Sequence, residues 1–262
     1  MCGRYATARA RQELLDEFQV QVDAVEKDLQ PDYNVAPTKQ VPAVLNRAPK
    51  DEPDEAARRT LRTVRWGLVP AWAKDLSIGS RMINARFETV HEKPAYRRAF
   101  AKRRCLLPAD GYFEWYVLED SRTDDPAEGE KKAKKKPQKQ PFYIHPKDGA
   151  VMAMAGLYEL WKSPEDEWVW TCTVITTEAP DELGRIHDRM PMIVTPDRWD
   201  AWLDPALNDT EEVRGLLTPA MAGNFEAFPV SKAVNSVKNN GPELIKPSTN
   251  GDSSGKHSDT LY

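Results

Sequence analysis

The chain has 262 residues, of which 40% are hydrophobic and 30% are charged, so it is long enough to bury a substantial core. Its formal net charge of −4 excludes a protein that holds duplex DNA by bulk positive charge, and any nucleic-acid contact must come from a local patch. No apolar run approaches the roughly 20 residues of a membrane helix, and no apolar signal segment opens the sequence, which predicts a cytoplasmic protein.

Helices and strands alternate along the first hundred residues. Leu14, Leu15 and Phe18 recur at helical spacing and predict a short amphipathic helix. A later basic helix carries Arg97 and Arg98, which we interpret as part of a solvated face. We predict helices over 8–20 and 95–104 and strands over 41–45 and 61–66, with a charged loop at 49–59.

Strands dominate the second half. The motif CLLPADGYFEWYV predicts two short strands around a turn. Residues 119–140 are acidic first and lysine-rich afterwards, with the run KKAKKK, which predicts a disordered insert. Thr195 before Pro196 predicts a capped helix start. Further strands are predicted over 142–145, 151–157, 168–176 and 225–230, a second helix over 211–217, and a disordered polar tail over 247–262.

These elements predict one α+β domain over residues 1–246, with a mostly antiparallel, barrel-like sheet and peripheral helices. We expect it to act as a monomer. The three cysteines, Cys2, Cys105 and Cys172, are odd in number and widely spaced, which argues against disulfides and against a cysteine-rich zinc site. The four histidines lack metal-ligand spacing, so we expect no metal and no cofactor.

Cys2 is informative because of its position. Methionine aminopeptidases remove Met1 when the second residue is small, and removal leaves a free α-amine beside a thiol. Such an aminothiol reacts distinctively with an aldehyde: the amine forms an imine, the sulfur adds to the same carbon, and a thiazolidine ring closes. Position alone, however, favours a small second residue with no chemical role.

Five motifs occur in order along almost the whole folded part of the chain: MCGRY, RWGLVPAWAKD, INARFETV, PADGYFEW and HDRMPMIV. Together with the cysteine at position 2, they resemble the SOS-response-associated peptidase (SRAP) family. That family is recognised for crosslinking to abasic sites in single-stranded DNA, and its peptidase name reflects loss of the residues preceding the cysteine. The resemblance therefore implies a DNA-damage-response protein whose partner is single-stranded DNA with abasic sites.

The resemblance also implies roles for individual residues. Cys2 would form the crosslink, and Asn84 would hydrogen-bond near it. Glu114, among aromatic residues, would have a raised pKa suited to proton transfer, although an outward-facing position on the strand is the alternative. His187 would protonate the ring oxygen of the abasic sugar and so open it to the aldehyde.

DNA contacts would come from Arg4, Arg86 and Arg189, which lie in the matched motifs and suit phosphates because the guanidinium binds them bidentately. Trp72 would stack on a base beside the lesion, and Pro37 would help to shape the cleft. The alternatives are surface ion pairs for the arginines and core packing for the tryptophan.

Two other functions stay open at this point. Cys2 could instead attack a peptide carbonyl, with His187 or Glu114 as base, in a thiol peptidase or N-terminal-nucleophile hydrolase. A non-catalytic nucleic-acid reader would use the same cleft. For the preferred function, the imine is also compatible with β-elimination, which implies some AP-lyase activity, and the protein would be nucleoid-associated when bound to DNA.

Overall fold

The computed structural model describes residues 2–48, 56–118 and 137–248. In these ranges, residues in strands greatly outnumber residues in helices. The strands are β1 (Tyr5–Thr7), β2 (Val22–Asp23), β3 (Asp32–Val35), β4 (Gln40–Arg47), β5 (Arg58–Trp66), β6 (Asn84–Arg86), β7 (Arg104–Ala109), β8 (Gly111–Val117), β9 (Lys139–Pro146), β10 (Met152–Lys162), β11 (Trp168–Glu178), β12 (Arg189–Pro191) and β13 (Phe225–Pro229). The helices are α1 (Arg11–Glu17), α2 (Arg97–Lys102), α3 (Asp181–Ile186), α4 (Trp199–Leu203) and α5 (Thr210–Gly215).

Five strands, β4, β5, β7, β10 and β11, close into a barrel. Neighbouring strands are antiparallel except β5 and β11, whose parallel pairing closes the ring. Alternate side chains point inward, so that Val64, Trp66, Cys172 and Val174 pack in one interior cluster. The predicted α+β fold with a barrel-like, mostly antiparallel sheet is confirmed.

A second sheet of five strands, in the order β13–β9–β8–β1–β3, lies beside the barrel. The N-terminal strand β1 is internal to this sheet because it pairs with both β3 and β8. The two strands predicted from CLLPADGYFEWYV exist as β7 and β8, but they belong to different sheets rather than pairing with each other. The Asp110 carboxylate between them accepts hydrogen bonds from the Ala8 amide at 2.6 Å and from Arg9 at 2.8 Å.

Helices cover the outside of the barrel. The helix predicted over 8–20 is shorter than expected, but Leu14 and Phe18 are buried as its spacing indicated. The Phe18 ring stacks on Trp199 with centroids 4.7 Å apart. Thr195 occupies the predicted N-cap position without a side-chain capping bond, because the chain first makes a short 3-10 turn over Pro196–Arg198 and only then enters α4.

Gly67 allows the chain to leave the barrel at the end of β5. Its φ of 124° lies in the left-handed region that favours glycine, and a Cβ there would stand 2.5 Å from the carbonyl oxygen of Gly79. The Trp66 indole donates to the Ile83 carbonyl at 2.9 Å, which ties β6 to the barrel end. The excursion between Gly67 and β6 therefore returns to the place where it began.

Three predicted segments extend beyond the described residues. Residues 49–55 of the charged loop, 119–136 of the insert and 249–262 of the tail lie outside them. Lys139 and Gln140, which we assigned to the insert, instead open β9, and Pro247 forms a bridge with Val230. Within the described ranges, the helices are too short and too polar to cross a membrane.

Candidate functional site

Cys2 lies at the end of the barrel where β1 enters the second sheet. It is fully buried and belongs to the same cluster as Tyr5 and Trp66, whose rings meet edge to face at 5.1 Å. Burial raises the pKa of the Cys2 thiol, and the nearby Glu114 carboxylate raises it further. The thiol is therefore held neutral beside an ionisable carboxyl group.

Asn84 holds the backbone of Cys2. Its side-chain Nδ2 donates to the Cys2 carbonyl at 2.8 Å, across 82 residues of sequence. The position of Asn84 is fixed because β6 pairs in parallel with β11, opposite Val174. The Asn84 Oδ1 atom is buried and has no hydrogen-bond partner among the described residues, so it can accept one from a group that enters the site.

Glu114 is buried on β8, with only 2% of its surface exposed, so the outward-facing alternative is wrong. The antiparallel register of β1 and β8 brings it next to the N-terminal segment, because the Phe113 amide donates to the Arg4 carbonyl at 2.9 Å. Burial raises the pKa of Glu114 to about 7. A carboxyl group with this pKa exchanges protons readily near neutral pH.

His187 completes the cluster from the junction between α3 and β12. Its Nε2 lies 3.9 Å from Glu114 Oε2, and its Nδ1 accepts the Arg189 amide proton at 3.1 Å. Burial lowers the pKa of His187, which favours the neutral ring. Asp188 Oδ1, 2.8 Å from Nδ1, can accept a hydrogen bond from this nitrogen when the ring is protonated. Glu114 and His187 therefore lie close together beside Cys2, as two ionisable groups with pKa values shifted by burial.

The three predicted arginines have different environments. Arg86 is exposed and lies two residues after Asn84 on β6, so the two side chains share one face of the strand. Arg4 is half-buried, with Nη1 donating to Asn34 Oδ1 at 2.6 Å and to the Val234 carbonyl at 2.8 Å. Of these two, Arg86 is the more accessible to a DNA phosphate.

Arg189 is buried and already paired. Its guanidinium donates to both carboxylate oxygens of Glu88, at 2.8 and 3.0 Å, and to the Thr176 carbonyl at 2.5 Å. A phosphate could reach it only by displacing Glu88, which is partly exposed. Through its backbone amide, Arg189 also orients His187.

Pro37 lies in a turn at the rim of the site, whereas Trp72 lies in the loop after Gly67. The Ala73 carbonyl next to Trp72 accepts a hydrogen bond from the Trp161 indole at 2.8 Å, which places this loop beside the end of β10, away from Asn84 and Cys2. Trp72 is 64% exposed, which excludes the core-packing alternative and leaves its ring face open to a base. Pro37 precedes Thr38, whose φ of 75° is unusual for a β-branched residue. Two bonds of 2.8 Å hold this turn: Thr38 donates to the Trp66 carbonyl, and Arg65 donates to the Thr38 carbonyl.

Two residues of the site were missed in the sequence. Asn34 is fully buried, and its Nδ2 donates to the carbonyls of Val234, Ser236 and Asn239 while its Oδ1 accepts from Arg4. Asp188 is adjacent to His187 and flanks its ring. Asp188 lies in the motif HDRMPMIV, and Asn34 lies three residues before Pro37. In both cases the sequence shows a polar residue but not the groups that it contacts. No group of three or more metal-binding side chains occurs in the ranges that the structure describes.

Comparisons with known proteins point to one family. A family model described as SOS response associated peptidase (SRAP) matches residues 1–237. The chain is 40% identical over 245 residues to the abasic site processing protein YoaM of Bacillus subtilis, covering 94% of this chain and 97% of that protein. It is 31% identical over 241 residues to the abasic site processing protein HMCES of Gallus gallus, covering 83% of this chain and 66% of that protein.

Solved structures share the fold. A crystal structure of a protein from Bacteroides thetaiotaomicron aligns with a TM-score of 0.75 at 24% identity, over 94% of this chain and all of that one. A phage-related protein from Bordetella bronchiseptica aligns with a TM-score of 0.64 at 26% identity, over 88% of this chain and 95% of that chain. By its sequence motifs, its barrel and its match over residues 1–237, the chain belongs to the SOS response associated peptidase (SRAP) family.

Proposed function

We propose that this protein binds abasic sites in single-stranded DNA and bonds to them covalently through Cys2, after removal of Met1. The observation that carries the proposal is the convergence of Cys2, Asn84, Glu114 and His187 from four separate segments at one end of the barrel. Relatives named abasic site processing proteins support the same substrate. A DNA-damage function follows from this chemistry.

The reaction joins two atoms of Cys2 to one carbon of the sugar. The freed α-amine attacks the aldehyde carbon of the ring-opened deoxyribose, and the carbinolamine loses one water to give an imine. The thiol then adds across the imine: sulfur bonds to the carbon, and the thiol proton moves to nitrogen. The five-membered thiazolidine forms readily because the thiol and the imine belong to the same residue.

Glu114 and His187 supply the proton transfers. His187, as the acid, protonates the sugar ring oxygen and exposes the aldehyde, with Asp188 stabilising the charged ring. Glu114, with a pKa near 7, accepts a proton from the amine and returns it to the departing hydroxyl. β-Elimination from the imine would give a slower AP-lyase reaction, and Glu114 would also assist the removal of Met1.

Asn84 and the rim residues position the substrate. Asn84 fixes the Cys2 carbonyl, and its Oδ1 accepts a hydrogen bond from a sugar hydroxyl. Arg86 contacts the phosphate beside the lesion, with Arg4 and Arg189 deeper in the cleft. The Pro37 turn forms one wall of the cleft, and Trp72, farther from Cys2, stacks on a base of the same strand.

The burial of Cys2 favours this chemistry over peptide hydrolysis. A thiol peptidase attacks with the thiolate, and burial raises the pKa of the Cys2 thiol and so depletes that form. In thiazolidine formation the amine makes the first attack, and the thiol adds only to an imine that is already bound. The raised thiol pKa is therefore compatible with crosslinking and unfavourable for a peptidase.

The test is adduct formation with an abasic single-stranded oligonucleotide, followed by intact mass. The parent protein should lack Met1 and gain the mass of the oligonucleotide less one water. Cys2→Ser should lose the heat-stable adduct yet keep weak DNA binding, because oxygen closes a less stable ring. Cys172→Ala, which changes another buried cysteine, is the control and should crosslink normally. A full-strength, heat-stable adduct from Cys2→Ser would contradict the mechanism.

A further inference from the structure

The barrel end away from Cys2 opens into a cavity of about 730 Å³. It lies where β4 ends and β5 and β11 begin, and Leu45 and Leu160 form part of its apolar wall. We call it the arginine mouth. Its defining residues are Arg47, Arg62, Arg98, Trp168 and Trp170.

Strand alternation directs these side chains into the mouth. Val64 and Cys172 point into the barrel core, so Arg62 and Trp170, two residues before them, face the same way. Arg47 is related in the same way to the buried Leu45. Inward positions that hold apolar residues through the barrel thus hold arginine and tryptophan at this end.

Arg62 is the central group. Its guanidinium lies 3.3 Å from the centroid of the Trp170 ring, and Arg47 lies 4.9 Å from the same centroid. Tyr158 also stacks on Trp170, with centroids 5.6 Å apart. Trp170 is therefore held in place by packing, and it holds two cations close together.

The charge of Arg62 is not neutralised within the part of the chain that the structure describes. Arg62 is half-buried, forms no salt bridge with a carboxylate in the described ranges, and its Nε atom is buried without a hydrogen-bond partner there. Burial and the adjacent Arg47 lower the Arg62 pKa to about 10, and the opposing effect of Glu26 is smaller. Partly burying a cation without a paired anion costs free energy, and an anion that bound beside it would reduce this cost.

Two further features complete the site. Arg103, which also lines the cavity, is neutralised by a salt bridge to Glu159, whereas Arg98 on α2 is exposed without such a pairing in the described ranges. Trp168 is 59% exposed, so a ring face is available at the edge of the cavity. The cavity therefore has a cationic side chain and an exposed indole face beside its apolar wall.

We propose that the arginine mouth binds a nucleotide, with its phosphate held by Arg62, Arg47 and Arg98 and its base stacked on Trp168. Guanidinium groups match phosphate oxygens, and indole rings stack on bases. The site is distinct from the Cys2 cluster, since Trp168 and the Asn84 partner Val174 are separated by roughly 20 Å along β11. Ala71, beside Trp72, forms part of the wall, so a DNA strand or a free nucleotide can supply the ligand.

The experiment is calorimetric titration at low ionic strength with deoxyadenosine monophosphate, deoxyadenosine and inorganic phosphate. The monophosphate should bind more tightly than either of its parts. Arg62→Gln and Arg98→Gln should each weaken it by about tenfold. Arg97→Gln removes the same charge from the next position of α2, outside the cavity, and should leave binding unchanged. Trp168→Ala should weaken the nucleotide but not phosphate.

Further arms identify the source of the nucleotide and test the location. A parallel loss of affinity for an undamaged oligonucleotide in Arg98→Gln assigns the ligand to a strand, and unchanged oligonucleotide affinity assigns it to a free nucleotide. Arg62→Gln should keep or raise the melting temperature, because it removes a half-buried charge that no carboxylate of the described ranges pairs with. Equal binding by Arg62→Gln, Arg98→Gln and Arg97→Gln would overturn the proposal. So would loss of nucleotide binding in Cys2→Ala, which would place the nucleotide at the Cys2 cluster. Neither outcome bears on the proposal that Cys2 forms the crosslink, which the adduct assay tests separately.

Discussion

The buried carboxyl group of Glu114 couples protonation to folding. Burial raises its pKa to about 7 in the folded state, well above the roughly 4.3 of an unfolded glutamate. The folded protein therefore binds this proton more tightly, and the associated stability is complete below the unfolded pKa and is lost as pH rises through about 7.

Glu114→Gln should therefore be stabilised relative to the parent as pH rises. The difference in the free energy of unfolding should shift toward the variant by up to roughly 3 kcal/mol between pH 4 and pH 8, because glutamine cannot ionise. Urea unfolding at several pH values measures this difference. Glu165→Gln, at an exposed turn, is the control and should follow the parent at every pH. A pH-independent difference for Glu114→Gln would contradict the assigned protonation.

Glu114 and His187 should affect the rate of crosslinking more than the affinity for abasic single-stranded DNA. General acid–base groups contribute about 10²- to 10⁴-fold, so His187→Ala and Glu114→Gln should slow crosslinking within that range. The dissociation constant for abasic single-stranded DNA should barely move. A time course of adduct formation beside equilibrium binding distinguishes the two effects, with His145→Ala, on β9, as the matched control. Unchanged crosslinking rates would refute both roles even if Cys2 reacts.

At the scale of elements, β6 and β12 flank the same strand, β11, but their arginines should behave differently. Arg86 is exposed, so Arg86→Ala should weaken single-stranded DNA binding and change stability by less than about 0.5 kcal/mol. Arg189→Ala removes a buried charged donor from Glu88 and Thr176 and should cost roughly 2 kcal/mol or more of stability. Denaturant midpoints measure the stability of the two variants, and fluorescence anisotropy measures their affinity for single-stranded DNA. Equal stability losses would place Arg86 in the fold rather than at the DNA.

Local pattern in the sequence predicted most strands because their alternation is local. The strands around 41–45, 61–66 and 168–176 are present as β4, β5 and β11, each a little longer than predicted. Sheet membership was not predictable in this way. Nothing in CLLPADGYFEWYV indicates that its two strands join different sheets, since that depends on what pairs with them from distant parts of the chain.

At the scale of the whole molecule, the site exists only because segments of both sheets come together. Asn84 meets Cys2 through the parallel pairing of β6 with β11, and Glu114 meets His187 although they lie in distant parts of the chain. Family motifs marked these residues, but no local pattern could give their hydrogen bonds. The burial of Arg189 was likewise invisible, because its partner Glu88 is 101 positions away.

Charge on the whole molecule predicts a modest salt dependence. With a net charge of −4, binding should depend on the few cleft arginines, and each phosphate contact on a single strand contributes about −0.7 to the slope of log K against log salt. Three contacts give about −2, and Arg86→Ala should reduce the magnitude by about one contact. Deleting residues 131–136 should change the slope less. A larger effect from that deletion would mean that the DNA follows another surface.

Because Cys2 is fully buried in the folded protein, the time available for the removal of Met1 is limited. A separate processing enzyme can uncover the amine only while β1 is still accessible, and its partner β8 ends at residue 117. At a synthesis rate of about 5–20 residues per second, that partner emerges only after several seconds to some tens of seconds. Removal of Met1 by another enzyme must therefore finish during translation. Any residue that still precedes Cys2 after this interval can be removed only by the folded site itself.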